Sequence, residues 1–150
     1  MAQVFLGMSG GVDSSAAAVL LQEQGYAVSG LHLSLLSGLP LPADRLPDDG
    51  SDARAVASLL GLPFYDMDLS PEFRATVIDY FIREYEAGRT PNPCVFCNRR
   101  IKFGAMWDAA QKLGADYLAT GHYADVVVLD PDLRLQAVYV EGEAVPVAGA

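Results

Sequence analysis

Residues 9–15 have the sequence SGGVDSS and stand between an apolar run, VFL at 4–6, and a helix-forming run, AAAVLL at 16–21. This order predicts a buried strand, a turn of small residues and the N-terminus of a helix. The two glycines allow the backbone to approach a ligand closely, the serines supply hydroxyl groups, and the first helical turn leaves N–H groups without acceptors in the helix. The segment therefore predicts a binding site for a phosphate or pyrophosphate.

The kind of phosphate site is narrowed by the residues around the glycines. No lysine follows them, which excludes the Walker A pattern, and their spacing differs from the dinucleotide-binding fingerprint. The acid in the turn, Asp13, indicates a Mg²⁺ ion shared with the phosphates. The alternative is an ordinary glycine-rich turn of an α/β domain that binds no ligand.

Strand and helix patterns alternate along the chain and predict an α/β fold, a doubly wound parallel sheet of about five strands with helices on both faces. We expect strands at 3–6, 27–33, 63–68 and 117–120. Helices are expected at 14–24 and 51–60 and after residues 70 and 98, and 35–50 is expected to be a surface loop. The runs 126–129 and 135–140 are β-like, and we expect a hairpin or a poorly ordered end there.

Capping residues and apolar stripes refine the predicted helices. Ser51, Ser70 and Asn98 are expected to be N-caps. One inward stripe should contain Phe73, Val77, Phe81 and Tyr85, and a second should contain Ile101, Ala105, Ala109 and Leu113.

The carboxyl ends of the strands are the expected place for a ligand, as in other open parallel sheets. Leu33 ends the second predicted strand, and Gly121 and His122 follow the fourth. We therefore expect these residues to meet the turn at 9–15.

Length, charge and cysteine content bound the class of protein. A chain of 150 residues with 51% hydrophobic residues fits one domain with a real core. Its net charge of −9 should repel nucleic acid as a whole, so any contact with RNA must be local. The sequence shows neither a signal peptide nor an apolar run of membrane-spanning length, and a cytoplasmic location is expected. With two cysteines, a structural disulfide framework is not expected.

The second chemical feature is the segment TPNPCVFCN at 90–98. Its prolines predict an extended loop, and Cys97 is expected just before a helix capped by Asn98, where its thiol pKa should be lowered. The spacing of Cys94 and Cys97 permits a disulfide or two metal ligands, and reduced structural thiols are the alternative. A basic cluster without acids, open to RNA or simply solvated, consists of Arg89, Arg99, Arg100 and Lys102.

Three motifs resemble known proteins. Residues 9–14 resemble the SGGxDS motif of the PP-loop ATP pyrophosphatases, whose domains are adenine nucleotide alpha hydrolase-like. The run TPNP at 90–93, followed by Cys97-Asn98 and Ile101-Lys102-Phe103, resembles a segment of the tRNA-specific 2-thiouridylases, the MnmA family. GMSGGVDSS at 7–15 and ATGHYA at 119–124 are similar to the same family. The resemblance covers a PP-loop nucleotide-binding domain at residues 1–125.

The resemblance implies an ATP-dependent tRNA-uridine 2-sulfurtransferase. ATP adenylates the 2-oxygen of the wobble uridine, and sulfur from a cysteine persulfide, delivered by a sulfur-carrier protein, replaces that oxygen. Cys97 matches the first catalytic cysteine and Asp13 the acid of the ATP and Mg²⁺ site. The implied contacts with the target base are made by Asn92, Pro93 and Cys94. The residues implied to bind ATP are Gly7, Met8, Ser9, Gly10, Gly11, Val12, Asp13, Ser14, Leu33 and Gly121.

The end of the chain departs from this family. Residues 126–150 do not match its pattern, and its second catalytic cysteine and later domains are expected to lie downstream, so the chain resembles a truncated member. An iron–sulfur cluster on Cys94 and Cys97 would need that downstream thiolate as a third ligand. Two alternatives stay open: an ATP-binding remnant without turnover, and another PP-loop enzyme that thiolates tRNA or forms an amide.

Overall fold

The computed structural model describes residues 1–40, 49–122, 125–129, 135–140 and 143–145 of the chain. Within them, seven strands form one sheet in the order β3-β2-β1-β4-β5-β6-β7. Strands β1 to β4 pair in parallel, and β5 to β7 extend the sheet antiparallel. The predicted α/β class with a parallel sheet is confirmed, and the β-like runs near the end widen the sheet beyond the expected five strands. The strands are β1 (Gln3–Gly7), β2 (Ala27–Ser34), β3 (Phe64–Asp68), β4 (Tyr117–His122), β5 (Asp125–Leu129), β6 (Leu135–Val140) and β7 (Glu143–Val145).

The helices form two single units and two longer segments that each contain a π-helical stretch. The single helices are α1 (Val12–Glu23) and α2 (Ser51–Leu59). The segment 70–86 consists of α3 (Ser70–Phe73), π1 (Arg74–Ile78) and α4 (Asp79–Glu86). The segment 93–112 consists of α5 (Pro93–Cys97), π2 (Asn98–Ala105) and α6 (Met106–Lys112).

Side chains of β1 alternate between two cores, one on each face of the sheet. Val4 and Leu6 pack with alanines and leucines of α1 and α2, whereas Phe5 packs with Met106 and Trp107 of α6. This alternation follows from the two-residue period of a strand. It confirms helices on both faces and places α1 and α6 on opposite sides of the end of β1.

The predicted serine caps are wrong in detail. Ser51 and Ser70 are the first residues of their helices and do not precede them. The backbone N–H of Ser51 donates to the carboxylate of Asp49, and that of Ser70 donates to the carboxylate of Asp68, each at 2.9 Å. The pKa of Asp49 is lowered by this backbone hydrogen bond, and the pKa of Asp68 is lowered first by the Ser70 hydroxyl group and then by the Ser70 backbone N–H. The residues two positions earlier therefore do the capping that the serines were expected to do.

The predicted start of a helix at Asn98 is also wrong. The helical segment begins at Pro93 and runs through Asn98 without a break, so that residue lies in the interior of the segment. The sequence missed this because a proline that interrupts a strand or loop is equally suited to the first turn of a helix.

The two π-helical stretches rotate the predicted apolar stripes. Val77 and Ile101 are buried as expected, but Phe81 and Tyr85 are 36% and 56% exposed and Leu113 is 43% exposed. A π turn closes i→i+5 hydrogen bonds, so residues after it leave the face that α-helical spacing would give them. Half of the expected loop at 35–50, namely 41–48, lies outside the described residues.

Candidate functional site

The turn after β1 is held by hydrogen bonds among its own serines and glycines. Ser9 N–H donates to Ser14 Oγ, and Gly11 N–H donates to Ser9 Oγ, both at 3.3 Å. Ser14 and Ser15 donate their hydroxyl groups to Gly11 O at 3.3 and 2.7 Å. The short side chains therefore fix the backbone of the turn.

The N-terminus of α1 follows this turn directly. The N–H group of Ser15 bonds to Gly11 O at 3.2 Å and opens the hydrogen-bond ladder of the helix. The preceding N–H groups, from Val12 to Ser14, have no acceptor within the helix. Together with the positive end of the helix dipole, they make the turn suited to an anion, as the sequence predicts.

Two glycines make the turn compact. Gly10 has a φ of +82°, and a Cβ there would lie 2.6 Å from Asp52 Cβ at the start of α2. At Gly121, at the end of β4, a Cβ would lie 2.8 Å from Asp13 O. Glycine is therefore required at Gly10 for both conformation and space, and at Gly121 for space.

A cleft of about 270 Å³ opens at the carboxyl ends of β1, β2 and β4. It combines residues from distant parts of the chain, as expected for the edge of a parallel sheet. Six residues predicted to bind ATP line it: Gly7, Met8, Ser9, Ser14, Leu33 and Gly121. The other four lie in the same turn or at the start of α1 without lining the cleft: Gly10, Gly11, Val12 and Asp13.

Asp13 lies exposed in the first turn of α1. Within the described residues, no group of three or more His, Cys, Asp or Glu side chains could hold a metal ion. A Mg²⁺ ion does not need such a group, because it is commonly held by one or two carboxylates together with phosphate oxygens. Asp13 fits that role only when a phosphate is bound beside it.

Sequence reasoning missed several residues of the cleft. Lys102 enters it from π2, although no lysine follows the glycines of the turn. His32 lines it from β2, nearly buried, and its Nδ1 atom lies 3.1 Å from Asp66 Oδ1. Arg54 donates to the other oxygen of Asp66 at 3.1 Å and lies 5.1 Å above the ring of Phe64. These contacts form because β3 and α2 pack beside β2, which the sequence alone does not show.

Cys97 differs from its prediction. It lies at the end of α5 inside a continuous helical segment and packs against the buried cluster of Leu69, Val77 and Ile101. Burial raises the pKa of the Cys97 thiol, nearby Lys102 lowers it, and Cys94 raises it. The predicted low pKa is wrong because partial burial of the thiol outweighs the effect of Lys102.

Cys94 is exposed, and both cysteines are free thiols. They are the two cysteines of the chain, and two thiolates are fewer than the ligands that an iron–sulfur cluster takes from a protein. The two thiolates of this chain could supply only part of a cluster's ligands. Asn92 and Pro93 lie where the stretch after α4 enters α5, and with Cys94 they are outside the lining of the cleft.

The structure divides the basic cluster into separate environments. Arg89 makes two hydrogen bonds to the Glu84 carboxylate, at 2.7 and 2.6 Å. This pair lowers the pKa of Glu84 and raises that of Arg89. Lys102 lines the cleft, while Arg99 and Arg100 are exposed on π2. Arg89 is therefore paired with an acid while it stays exposed, and of the four cations Lys102 is the one that lines the cleft.

The family model described as "tRNA methyl transferase HUP domain" matches residues 2–139. The chain belongs to this family. The predicted fold of the PP-loop type is thereby confirmed, and so is the resemblance to the 2-thiouridylases, because curated relatives bear that name.

Two relatives illustrate the similarity. The tRNA-specific 2-thiouridylase MnmA of Lachnoclostridium phytofermentans is 46% identical over 137 residues, which cover 86% of this chain and 38% of the relative. The protein of the same name from Chloroflexus aggregans is 52% identical over 131 residues, which cover 85% of this chain and 36% of the relative. The chain thus spans well under half the length of these relatives.

A solved structure supports the fold alone. It is described as a predicted subunit of tRNA methyltransferase from Methanocaldococcus jannaschii, and it matches with a TM-score of 0.54 at 20% identity. The match covers 81% of this chain and 53% of the other.

Within the described ranges, the helices are too short or too polar to cross a membrane.

Proposed function

We propose that this chain is the ATP-binding and adenylating domain of a tRNA-uridine 2-sulfurtransferase. The observation that supports the proposal best is the cleft in which the turn after β1 meets Leu33 and Gly121. The three elements are distant in sequence, and they converge where nucleotides bind in parallel α/β sheets. The thiouridylase relatives favour tRNA as the second substrate.

The phosphates of ATP fit the turn and the N-terminus of α1. Backbone N–H groups bind the phosphate oxygens there, and Gly10 and Gly121 keep the turn close to α2 and β4. Asp13 would hold the Mg²⁺ ion that neutralises part of the phosphate charge. In the adenylation step, the uridine 2-oxygen bonds to the α-phosphorus and pyrophosphate leaves.

In the sulfur step, sulfide bonds to C2 of the base and the 2-oxygen leaves with AMP. Cys97 is proposed to release that sulfide: its thiolate attacks a persulfide carried by a second cysteine, the S–S bond of the persulfide breaks, and a disulfide between Cys97 and that cysteine forms. The Cys97 thiol must lose a proton to act as a nucleophile, and burial opposes that loss while Lys102 favours it. Asn92, Pro93 and Cys94, at the entrance of the same helical segment, are proposed to contact the target base. A sulfur-carrier protein is proposed as the donor of the persulfide.

The two alternatives predict different reactions. An ATP-binding remnant would bind ATP without turnover, and another PP-loop ligase would adenylate a different substrate. The adenylation half-reaction separates them, because it requires ATP and the base but no persulfide. The TPNP segment and the names of the relatives favour uridine in tRNA.

The test is calorimetric titration of the 150-residue chain with ATP and Mg²⁺, followed by measurement of pyrophosphate release with unmodified tRNA. We expect wild-type binding and a loss of at least tenfold in affinity in Asp13→Ala. Asp108→Ala is the control, because Asp108 is an exposed carboxylate on α6 that lies outside the lining of the cleft. Equal affinity in wild type and Asp13→Ala would remove the metal role, and absence of ATP binding would refute the function.

A further inference from the structure

Lys102 is a positively charged residue in the lining of the cleft, and it lies on the face of the sheet opposite α1. The turn after β1 and the helix α1 approach the cleft from one face of the sheet, whereas π2 and α6 approach it from the other. Lys102 is half-buried and lines the cleft together with Ser9, Ser14 and Gly121. Among the residues that the structure describes, the ion pairs do not include Lys102.

The charge of a triphosphate favours a further cation beside the turn. The N-terminus of a helix offers the equivalent of only about half a positive charge. The other lysine of the chain, Lys112, is exposed in the last turn of α6 and outside the cleft. A lysine acts well as a point charge for phosphate, so one side chain reaching over the turn can supply what the turn lacks.

The π-helical geometry explains how this residue reaches the cleft. In π2 the backbone bonds connect residues five apart, as between Met106 N–H and Ile101 O. Residues five apart, such as Cys97 and Lys102, then lie close to one face, whereas α-helical spacing would separate them. Lys102 accordingly acts electrostatically on the Cys97 thiol while it lines the nucleotide cleft.

We propose that Lys102 binds the phosphates of ATP from the face of the sheet opposite α1, in place of the lysine that follows the glycines in a Walker A turn. This inference rests on the proposed binding of ATP and adds to it a residue that determines the preference for phosphorylated ligands. Lys102 thereby places a positive charge both in the nucleotide cleft and near Cys97.

The test compares ATP with adenosine in calorimetric titrations of the 150-residue chain. We expect Lys102→Gln to weaken ATP binding roughly 10- to 100-fold, the range for loss of a charged hydrogen bond. Adenosine affinity should change less than about twofold, because adenosine has no phosphate. Lys102→Arg should restore much of the ATP affinity, since it keeps the charge and the hydrogen-bond donors.

Lys112→Gln is the matched control, because it removes the same charge from an exposed site, and it should leave both affinities unchanged. An equal loss of ATP and adenosine binding in Lys102→Gln would indicate a structural role and overturn the inference. Unchanged ATP binding in that variant would overturn it as well, while leaving the proposed function intact. Absence of ATP binding in wild type would refute both.

Discussion

The turn after β1 and the helical segment 93–112 form opposite sides of one cleft, and they differ in the range of the interactions that determine their properties. In the turn, hydrogen bonds join residues within a few positions, from Ser9 to Ser15. In the helical segment, the properties of Cys97 depend on residues of other elements, such as Leu69 and Val77. A local motif therefore predicts the first side well, whereas the second needs the packed fold.

This difference matters for chemistry, because the two sides are proposed to perform different steps. The turn is proposed to bind phosphate through backbone groups, which any fold that keeps its conformation will present in the same way. The thiol is a titrating side chain, and its reactivity depends on burial and on nearby charges. The comparison can be tested with variants on each side.

The largest effect is expected for Gly10→Ala. The variant places a side chain in a left-handed conformation and against α2, and it should lower the free energy of unfolding by roughly 2–4 kcal/mol. Gly25→Ala is the control, because its φ of +84° is similar but nothing lies within 4 Å of the added Cβ. It should cost only about 1 kcal/mol. Urea denaturation measures both, and equal losses would disprove the role of close packing.

Gly121→Ala should have the next largest effect, roughly 1–3 kcal/mol, because the new Cβ overlaps the backbone at Asp13. By displacing the start of α1 it should also weaken the proposed binding of ATP. Gly7→Ala is the matched control at the end of β1, where the added Cβ would make ordinary contacts at 3.7 Å and beyond. Greater damage in Gly7→Ala than in Gly121→Ala would contradict this account of the turn.

A smaller effect is expected for Glu84→Gln, on the chain leading to the cysteine segment. Arg89 lowers the pKa of Glu84, so their pair stabilises the protein at neutral pH. This contribution is lost as the pH falls through the lowered folded-state pKa, when Glu84 becomes protonated. Thermal melts should show wild type slightly more stable at pH 7, with the gap closing in acid and in high salt. A gap that widens in acid would reverse the assigned sign.

The last prediction concerns the reactivity of the Cys97 thiol, and it needs no substitution that would change stability. Because burial raises its pKa, iodoacetamide should modify Cys97 more slowly than a model thiol at neutral pH, with a midpoint at higher pH. Mass spectrometry distinguishes Cys97 from the exposed Cys94. Denaturing the chain should bring the Cys97 rate to that of the model thiol. If Cys97 in the folded protein reacted faster than the model thiol, the low pKa expected from the sequence would be supported.

Particular residues show why some predictions succeeded. Gly7, Met8, Ser9 and Ser14 were placed in the cleft because they are joined to the turn by the chain itself. Leu33 and Gly121 were placed there because parallel strands end at the same edge of a sheet. The stripe containing Phe81 and Tyr85 failed because π1 changes the helical period, which the spacing of apolar residues does not reveal.

By itself, the sequence determined the strand, turn and helix that form the anion site, the alternation that produces a parallel sheet and the resemblance to the thiouridylases. These depend on backbone conformation and hydrogen bonds between near neighbours, which residue types specify directly. Only the tertiary structure decided that Lys102 reaches the cleft, that Asp66 holds His32, and that Cys97 is half-buried. Charge and burial act through space, and the distances in space are set only when the separate elements pack together.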